Sequence, residues 1–166
     1  LTGRNLTTRR HPGHPKAGKV QATLDRLGIP GRAVELPAST RTSAAAVGTT
    51  PARIVKSLVF LTADGQVVLV TASGANRVDV AKLAREVGRP VRLADAEAVK
   101  RLAGFSIGGF PPVGHDVQPL TIIDRDLLQF ETVWAAAGTP HALVPIARAD
   151  LVRVTGGRVA EIREEA

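Results

Sequence analysis

Cysteine is absent from the 166 residues, which removes disulfides, thiolate metal sites and cysteine nucleophiles together. Tyrosine is absent as well, and the aromatic side chains amount to four Phe and one Trp. The core must therefore be made of Val, Leu, Ile and Ala, and an aromatic platform for stacking single-stranded nucleic acid is disfavoured. No apolar run approaches the roughly 20 residues that a bilayer span needs. The N-terminus shows no apolar stretch of the secretory kind, so the expected location is cytoplasmic. No GxSxG elbow is present to support a serine-histidine-aspartate triad, and no spacing of histidines or acids suggests a structural zinc site. Neither a metal nor a cofactor is expected.

What is present is ordinary for a globular chain: 44% hydrophobic residues in a length that suits one domain. The formal net charge is +7, and it is uneven. Arg4, Arg9, Arg10, Lys16 and Lys19 all precede the first acid, Asp25. Residues 1–16 are expected to form a flexible basic tail, either a bland arm or one that seeks phosphates, and residues 17–166 to form the folded domain. Within the body, residues 26–92 carry ten Lys/Arg against Glu35, Asp64, Asp79 and Glu86, a modest basic surface that does not by itself establish nucleic-acid binding.

Helical spacing of Ala17, Val20, Leu24 and Leu27 predicts a helix ended by Gly28. A short strand over 33–36 follows, then a short helix over 44–47 capped by a hydroxyl of the segment 39–43. The clearest signal lies over 54–73, where two β-rich runs flank Asp64-Gly65. A two-residue turn at that pair would set Ala63 against Gln66, Phe60 against Leu69, Leu58 against Thr71 and Lys56 against Ser73. Both faces of this hairpin are largely apolar, so it should be central in its sheet. A helix over 78–87 with Asn76 as cap, a strand over 91–93 and a helix begun at Asp95 come next. Residues 104–114 are too rich in glycine and proline for regular structure. Strands over 120–123, 132–135, 142–145 and 159–162, with a helix over 149–154, complete the chain. The irregular alternation predicts an α/β domain with a mixed sheet.

Lys56 is the anomaly, a lysine on a strand whose neighbours read as core. Either its stem packs and its head reaches water, or it lines a pocket and holds an anionic or carbonyl group. Ser73, its expected neighbour, precedes Gly74, where the strand stops. The second feature is Gly108-Gly109-Phe110-Pro111-Pro112-Val113-Gly114-His115. It is either a rigid connector or a loop that presents backbone N–H groups to a developing oxyanion. His115-Asp116 is either a base with its orienting carboxylate or a polar pair at a strand entrance.

Taken in order, STRTSAAAVGTTPARIVKSLVF, LVTASGANRVDVAKLAREVG, GFSIGGFPPVGH and VWAAAGTPHALVPIARADLVRVTG resemble the YbaK/EbsC family, relatives of the editing domain of bacterial prolyl-tRNA synthetase. The resemblance spans residues 17–163. It implies a single compact domain with a curved, barrel-like mixed sheet flanked by short helices. It also implies hydrolysis of mischarged tRNA, Ala- or Cys-tRNA(Pro), by a free-standing deacylase; a non-catalytic tRNA- or synthetase-binding module of the same fold is the alternative, and a hydrolase of another small acyl ester a third. The family's lysine matches Lys56, its GxxxP loop matches Gly108, Gly109 and Pro112 with Gly114 following, and its later glycine turn matches Gly138 and Thr139. Those of the lysine and the GxxxP loop are the expected catalytic positions. Thr40, Ser73, Phe110, His115, Gly138 and Thr139 are the expected substrate-binding residues. The implied partners are mischarged tRNA, with tRNA(Pro) first, and prolyl-tRNA synthetase; no membrane is involved, and the chain would be a monomer or a weak homodimer.

Overall fold

The computed structural model describes residues 15–36, 43–103, 112, 119–139 and 141–165. The first element is α1 (Pro15–Arg26), which places Val20 and Leu24 in full burial. Gly28, with φ of +74°, turns the chain after the helix, and the N–H of Ile29 donates back to the Leu24 carbonyl. This is the left-handed glycine stop that the sequence suggests. Gln21 ties the helix to the start of the next strand: its Oε1 accepts from Ala33 N at 2.8 Å.

The strands form two sheets. The smaller has the order β1-β7-β6, formed by β1 (Val34–Glu35), β6 (Thr132–Ala136) and β7 (Ala142–Ala147). The larger has the order β4-β2-β3-β5-β8, formed by β2 (Val55–Thr62), β3 (Val67–Ser73), β4 (Val91–Leu93), β5 (Leu120–Asp124) and β8 (Arg158–Ala160). It is mixed as expected: β2 runs antiparallel to β3 and β4, whereas β3–β5 and β5–β8 are parallel. One curved barrel-like sheet is not what the described strands form. They split into two sheets, with a single bridge from Ile54 to Trp134 recorded between them. The 3-10 turn Pro51–Arg53 turns the chain into β2 just before that bridge. The helices α2 (Ser43–Ala46), α3 (Val80–Val87), α4 (Ala96–Ala103) and α5 (Arg148–Thr155) connect the strands.

The β2–β3 hairpin is central, as its two apolar faces require, but its register differs from the expected one. The loop has three residues, Ala63, Asp64 and Gly65. Gly65 N donates to Thr62 O at 3.0 Å, Gly65 takes a φ of +85°, and Thr62 N donates to Gln66 O at 3.1 Å. A turn closed by a left-handed glycine adds one residue relative to the two-residue hairpin. Every partner therefore moves by one: Lys56 faces Ala72, Leu58 faces Val70, Phe60 faces Val68, and Val55 faces Ser73. Since side chains alternate, a one-residue shift exchanges faces. Lys56 and Ser73 consequently lie on opposite faces, not side by side.

The two faces bury different cores. Val55, Val59, Leu61, Val67 and Leu69 pack with α1, α4, α5 and the small sheet in the larger cluster. Phe60, Val68, Val70 and Ala72 pack with Leu83 of α3, Ile122, Ala160 and Ile162 in the second. Lys56 belongs to the second face. The helix α3 is capped by Asp79, whose Oδ1 accepts from Ala81 N and Lys82 N at 3.0 and 3.1 Å. Asn76, the expected cap, is left for another use.

Candidate functional site

The parallel strands β3, β5 and β8 end together, at Ser73, Asp124 and Ala160. The carboxyl edge of parallel strands is where open α/β sheets collect ligands, because the chain leaves the sheet there and exposes backbone. Lys56 reaches this edge from the antiparallel neighbour β2. It is half-buried, and its Nζ donates to the backbone carbonyl of Asn76 at 2.5 Å. Among the described residues no carboxylate pairs with it. A half-buried ammonium with a neutral acceptor and no counter-ion among the described residues is well placed to attract an incoming phosphate or carbonyl oxygen.

Asn76 is itself held tightly. Its Nδ2 donates to Asp124 Oδ2 at 2.9 Å and to Asp126 Oδ2 at 2.8 Å, so both amide protons are used. Its N–H donates to Ser73 O at 2.9 Å. Asp124 is 2% exposed and also accepts from Ser73 N and from Asp126 N, each at 3.0 Å. It ends β5 and caps the 3-10 helix Arg125–Gln129 with the same carboxylate that fixes the end of β3. Asp126 pairs with Arg163 at 3.1 Å. An open cleft of about 380 Å³ borders this cluster, lined by Ala75, Asn76, Arg77, Arg163, Glu164 and Glu165.

The approach of the chain to this cluster depends on Gly74. A Cβ there would sit 2.5 Å from the Pro51 carbonyl oxygen, and Gly74 N donates to Ile54 O at 2.8 Å. Ser73 is buried, and its Oγ donates to Ala52 O at 2.8 Å. Its hydroxyl thus braces the 3-10 turn on the face opposite Lys56. Gly138, with φ of +98°, and Thr139 make the β6–β7 turn of the small sheet, where Thr139 Oγ1 accepts from His141 N at 3.3 Å. No hydrogen bond among the described residues joins them to Lys56. Pro112 is buried. Thr40, Gly108, Gly109, Phe110, Gly114 and His115 lie outside the described residues. Sequence reasoning missed Asn76, Asp124, Asp126 and Arg163 as site residues. The signal it could have used was Asp124-Arg125-Asp126 directly after a buried apolar strand. Among the described residues no group of three or more acids or histidines is arranged to hold a metal, and no helix is long and apolar enough to cross a membrane.

Residues 37–154 match the aminoacyl-tRNA editing domain. The chain belongs to that family, a class of aminoacyl-tRNA deacylases and trans-editing enzymes. Lys56 and the GxxxP segment both fall inside the match. A solved structure described as "a putative trans-editing enzyme for prolyl tRNA synthetase" is 46% identical, with a TM-score of 0.86 over 92% of this chain and 99% of that one. The "Putative Cys-tRNA(Pro)/Cys-tRNA(Cys) deacylase EbsC" of Enterococcus faecalis (strain ATCC 700802 / V583) is 26% identical over 125 residues, 75% of this chain and 76% of that protein. YwhH of Bacillus subtilis (strain 168) is 29% identical over 122 residues, 74% of this chain and 78% of that protein.

Proposed function

We propose that this protein hydrolyses mischarged tRNA in trans, with Ala-tRNA(Pro) or Cys-tRNA(Pro) as substrate and Lys56 as the anchor of the tRNA terminus. The observation that carries this reading is the Lys56 ammonium, half-buried at the carboxyl edge of the parallel strands, where among the described residues it donates to a backbone carbonyl and pairs with no carboxylate. An aminoacyl ester is already activated, so no side-chain nucleophile is required. Water adds to the ester carbonyl, and the acyl–oxygen bond breaks. The amino acid leaves as the acid, carrying the water oxygen, while the ribose oxygen takes up a proton that the water supplies. Lys56 holds the phosphate of the terminal nucleotide or the carbonyl oxygen. The backbone N–H groups of the loop over 108–114 receive the oxyanion, a contribution of about 100- to 1000-fold per donor in other enzymes. Thr40, Phe110, His115, Gly138 and Thr139 are the residues proposed to shape the amino-acid pocket. Ser73 supports the fold behind it.

Such an enzyme answers a physical limit. A site built for proline cannot strongly reject a smaller side chain, since one methylene is worth about 1–3 kcal/mol. A second, smaller site removes what slips through.

A deacylation panel over several aminoacyl-tRNAs tests the proposal. The protein should release amino acid from Ala- or Cys-tRNA(Pro), and Lys56→Ala should lose nearly all turnover while its circular dichroism stays unchanged. Full activity in Lys56→Ala would remove the assigned mechanism. Salt-sensitive tRNA binding without turnover would instead establish a binding module.

A further inference from the structure

We infer that the segment 161–165 is part of the catalytic apparatus, acting as a positioning device in which Arg163, Asp126 and Asn76 set the place of the Lys56 ammonium. This rests on the deacylase reading for its effect on turnover, but the geometry stands apart from it. Asn76 presents two functions on two sides. Its backbone carbonyl receives Lys56 Nζ, and its side-chain amide is shared between Asp124 and Asp126. The two bonds of the amide restrain the residue whose carbonyl receives the ammonium.

The C-terminal segment closes this arrangement from outside. Arg163 Nη1 donates to Asp126 Oδ2, the oxygen that also accepts from Asn76 Nδ2. The backbone on either side of Arg163 is laced to the backbone beside Asn76: Asp79 N donates to Ile162 O at 2.7 Å, and Glu164 N donates to Arg77 O at 2.8 Å. Lys82 pins the segment to α3 by donating to Glu161 Oε1 at 3.0 Å, to Arg163 O at 2.9 Å and to Glu165 Oε1 at 3.2 Å. Three independent ties hold a segment that lies beyond the family match, which stops at residue 154. A segment needed only to cover Ile162 would not require its arginine to address the carboxylate that holds Asn76.

A charged group displaced by about 1 Å from the reacting centre can cost 100-fold in rate. Asn76→Ala should therefore lower kcat about 10- to 100-fold with KM nearly unchanged. Arg163→Gln, which removes a half-exposed ion pair, should lower kcat about two- to fivefold. If both act through one relay, the double variant should be no slower than Asn76→Ala alone. A readout independent of tRNA is the rate at which an amine-reactive ester labels Lys56, mapped by mass spectrometry with Lys100 as internal reference. Labelling of Lys56 should rise severalfold in Asn76→Ala and less in Arg163→Gln, because an amine no longer held against the Asn76 carbonyl is reached more readily. Unchanged Lys56 labelling in Asn76→Ala would overturn the proposal, whatever happened to activity. Additive losses in the double variant would overturn the relay. A wild-type protein with no deacylase activity would count against the proposed function instead, leaving the labelling result to decide the positioning.

Discussion

Replacing Asp124 by alanine removes the acceptor on which three donors converge. Its carboxylate accepts from Ser73 N at 3.0 Å, Asn76 Nδ2 at 2.9 Å and Asp126 N at 3.0 Å, and the residue is 2% exposed. A buried donor left without a partner costs about 1–3 kcal/mol. Ser73 is buried, so its N–H should cost near the top of that range. The Asn76 and Asp126 donors lie nearer the open cleft, can recruit water, and should cost near the bottom. The sum is about 3–5 kcal/mol, a large part of the roughly 5–15 kcal/mol that holds a domain together. For a chain of this size it corresponds to a fall in Tm of about 6–20 °C. Asp124→Asn should lose less, because one oxygen remains while the other becomes a donor aimed at donors. Urea unfolding followed by circular dichroism measures both, with the slope against denaturant expected to stay constant. A loss below about 1 kcal/mol in Asp124→Ala, or a greater loss in Asp124→Asn, would refute the convergence of three satisfied donors on this carboxylate.

Gly65→Ala should cost about 1–2 kcal/mol in chemical denaturation, because the loop requires a φ of +85°. Gly74→Ala should cost about 1–3 kcal/mol by overpacking, since the new Cβ would meet the Pro51 carbonyl at 2.5 Å; an unchanged midpoint would show that the strand end can move aside. The Thr62 hydroxyl, with help from the Arg89 guanidinium and against a smaller effect of burial, holds the Asp64 carboxyl below the usual carboxylate range. A lowered folded-state value means that this contribution is present above the ordinary carboxylate pKa and is lost as pH falls through the depressed one. In an NMR titration Asp64 should protonate at lower pH than a free aspartate, and Thr62→Val should move it upward.

Much of the fold was legible because local chemistry and tertiary demand agree. Gly28 and Gly88 end their helices in the left-handed conformation, and the Asp95 carboxylate caps α4 through Ala98 N at 2.8 Å. The apolar hairpin 54–73 is central because neither of its faces could be left to water. What misled was a turn pair with two possible lengths. Asp64-Gly65 suits a two-residue loop, but the same glycine also closes a three-residue loop, and nothing local decides between them. The packing of two apolar faces does. The site divides in the same way. Lys56 stood out because a charge in an apolar strand is costly. Asn76 did not, because its meaning comes from Asp124 and Asp126, 48 and 50 positions away, brought near by the parallel pairing of β3 with β5. Arg163 is more distant still and arrives through the bridge between its own backbone and Val78. A polar residue after a strand reads as a turn until the tertiary structure supplies its partner.

The three-residue hairpin loop has a consequence for how this chain can vary. Most surface turns accept insertions and deletions, because the elements on either side need only a longer or shorter tether. The turn at residues 63–65 is different, since whether Ala63 stays in the loop or joins the ladder decides which residue Lys56 faces. Drawing Ala63 into the ladder opposite Gln66 would pair Lys56 with Ser73 and put the two on one face, whereas Lys56 now faces Ala72. A deletion that keeps Thr62 opposite Gln66 leaves the pairing untouched, whereas Asp64→Asn, which favours a two-residue turn with Gly65, works against it. A turn on the far end of the hairpin is thereby constrained in conformation by the chemistry at the carboxyl edge.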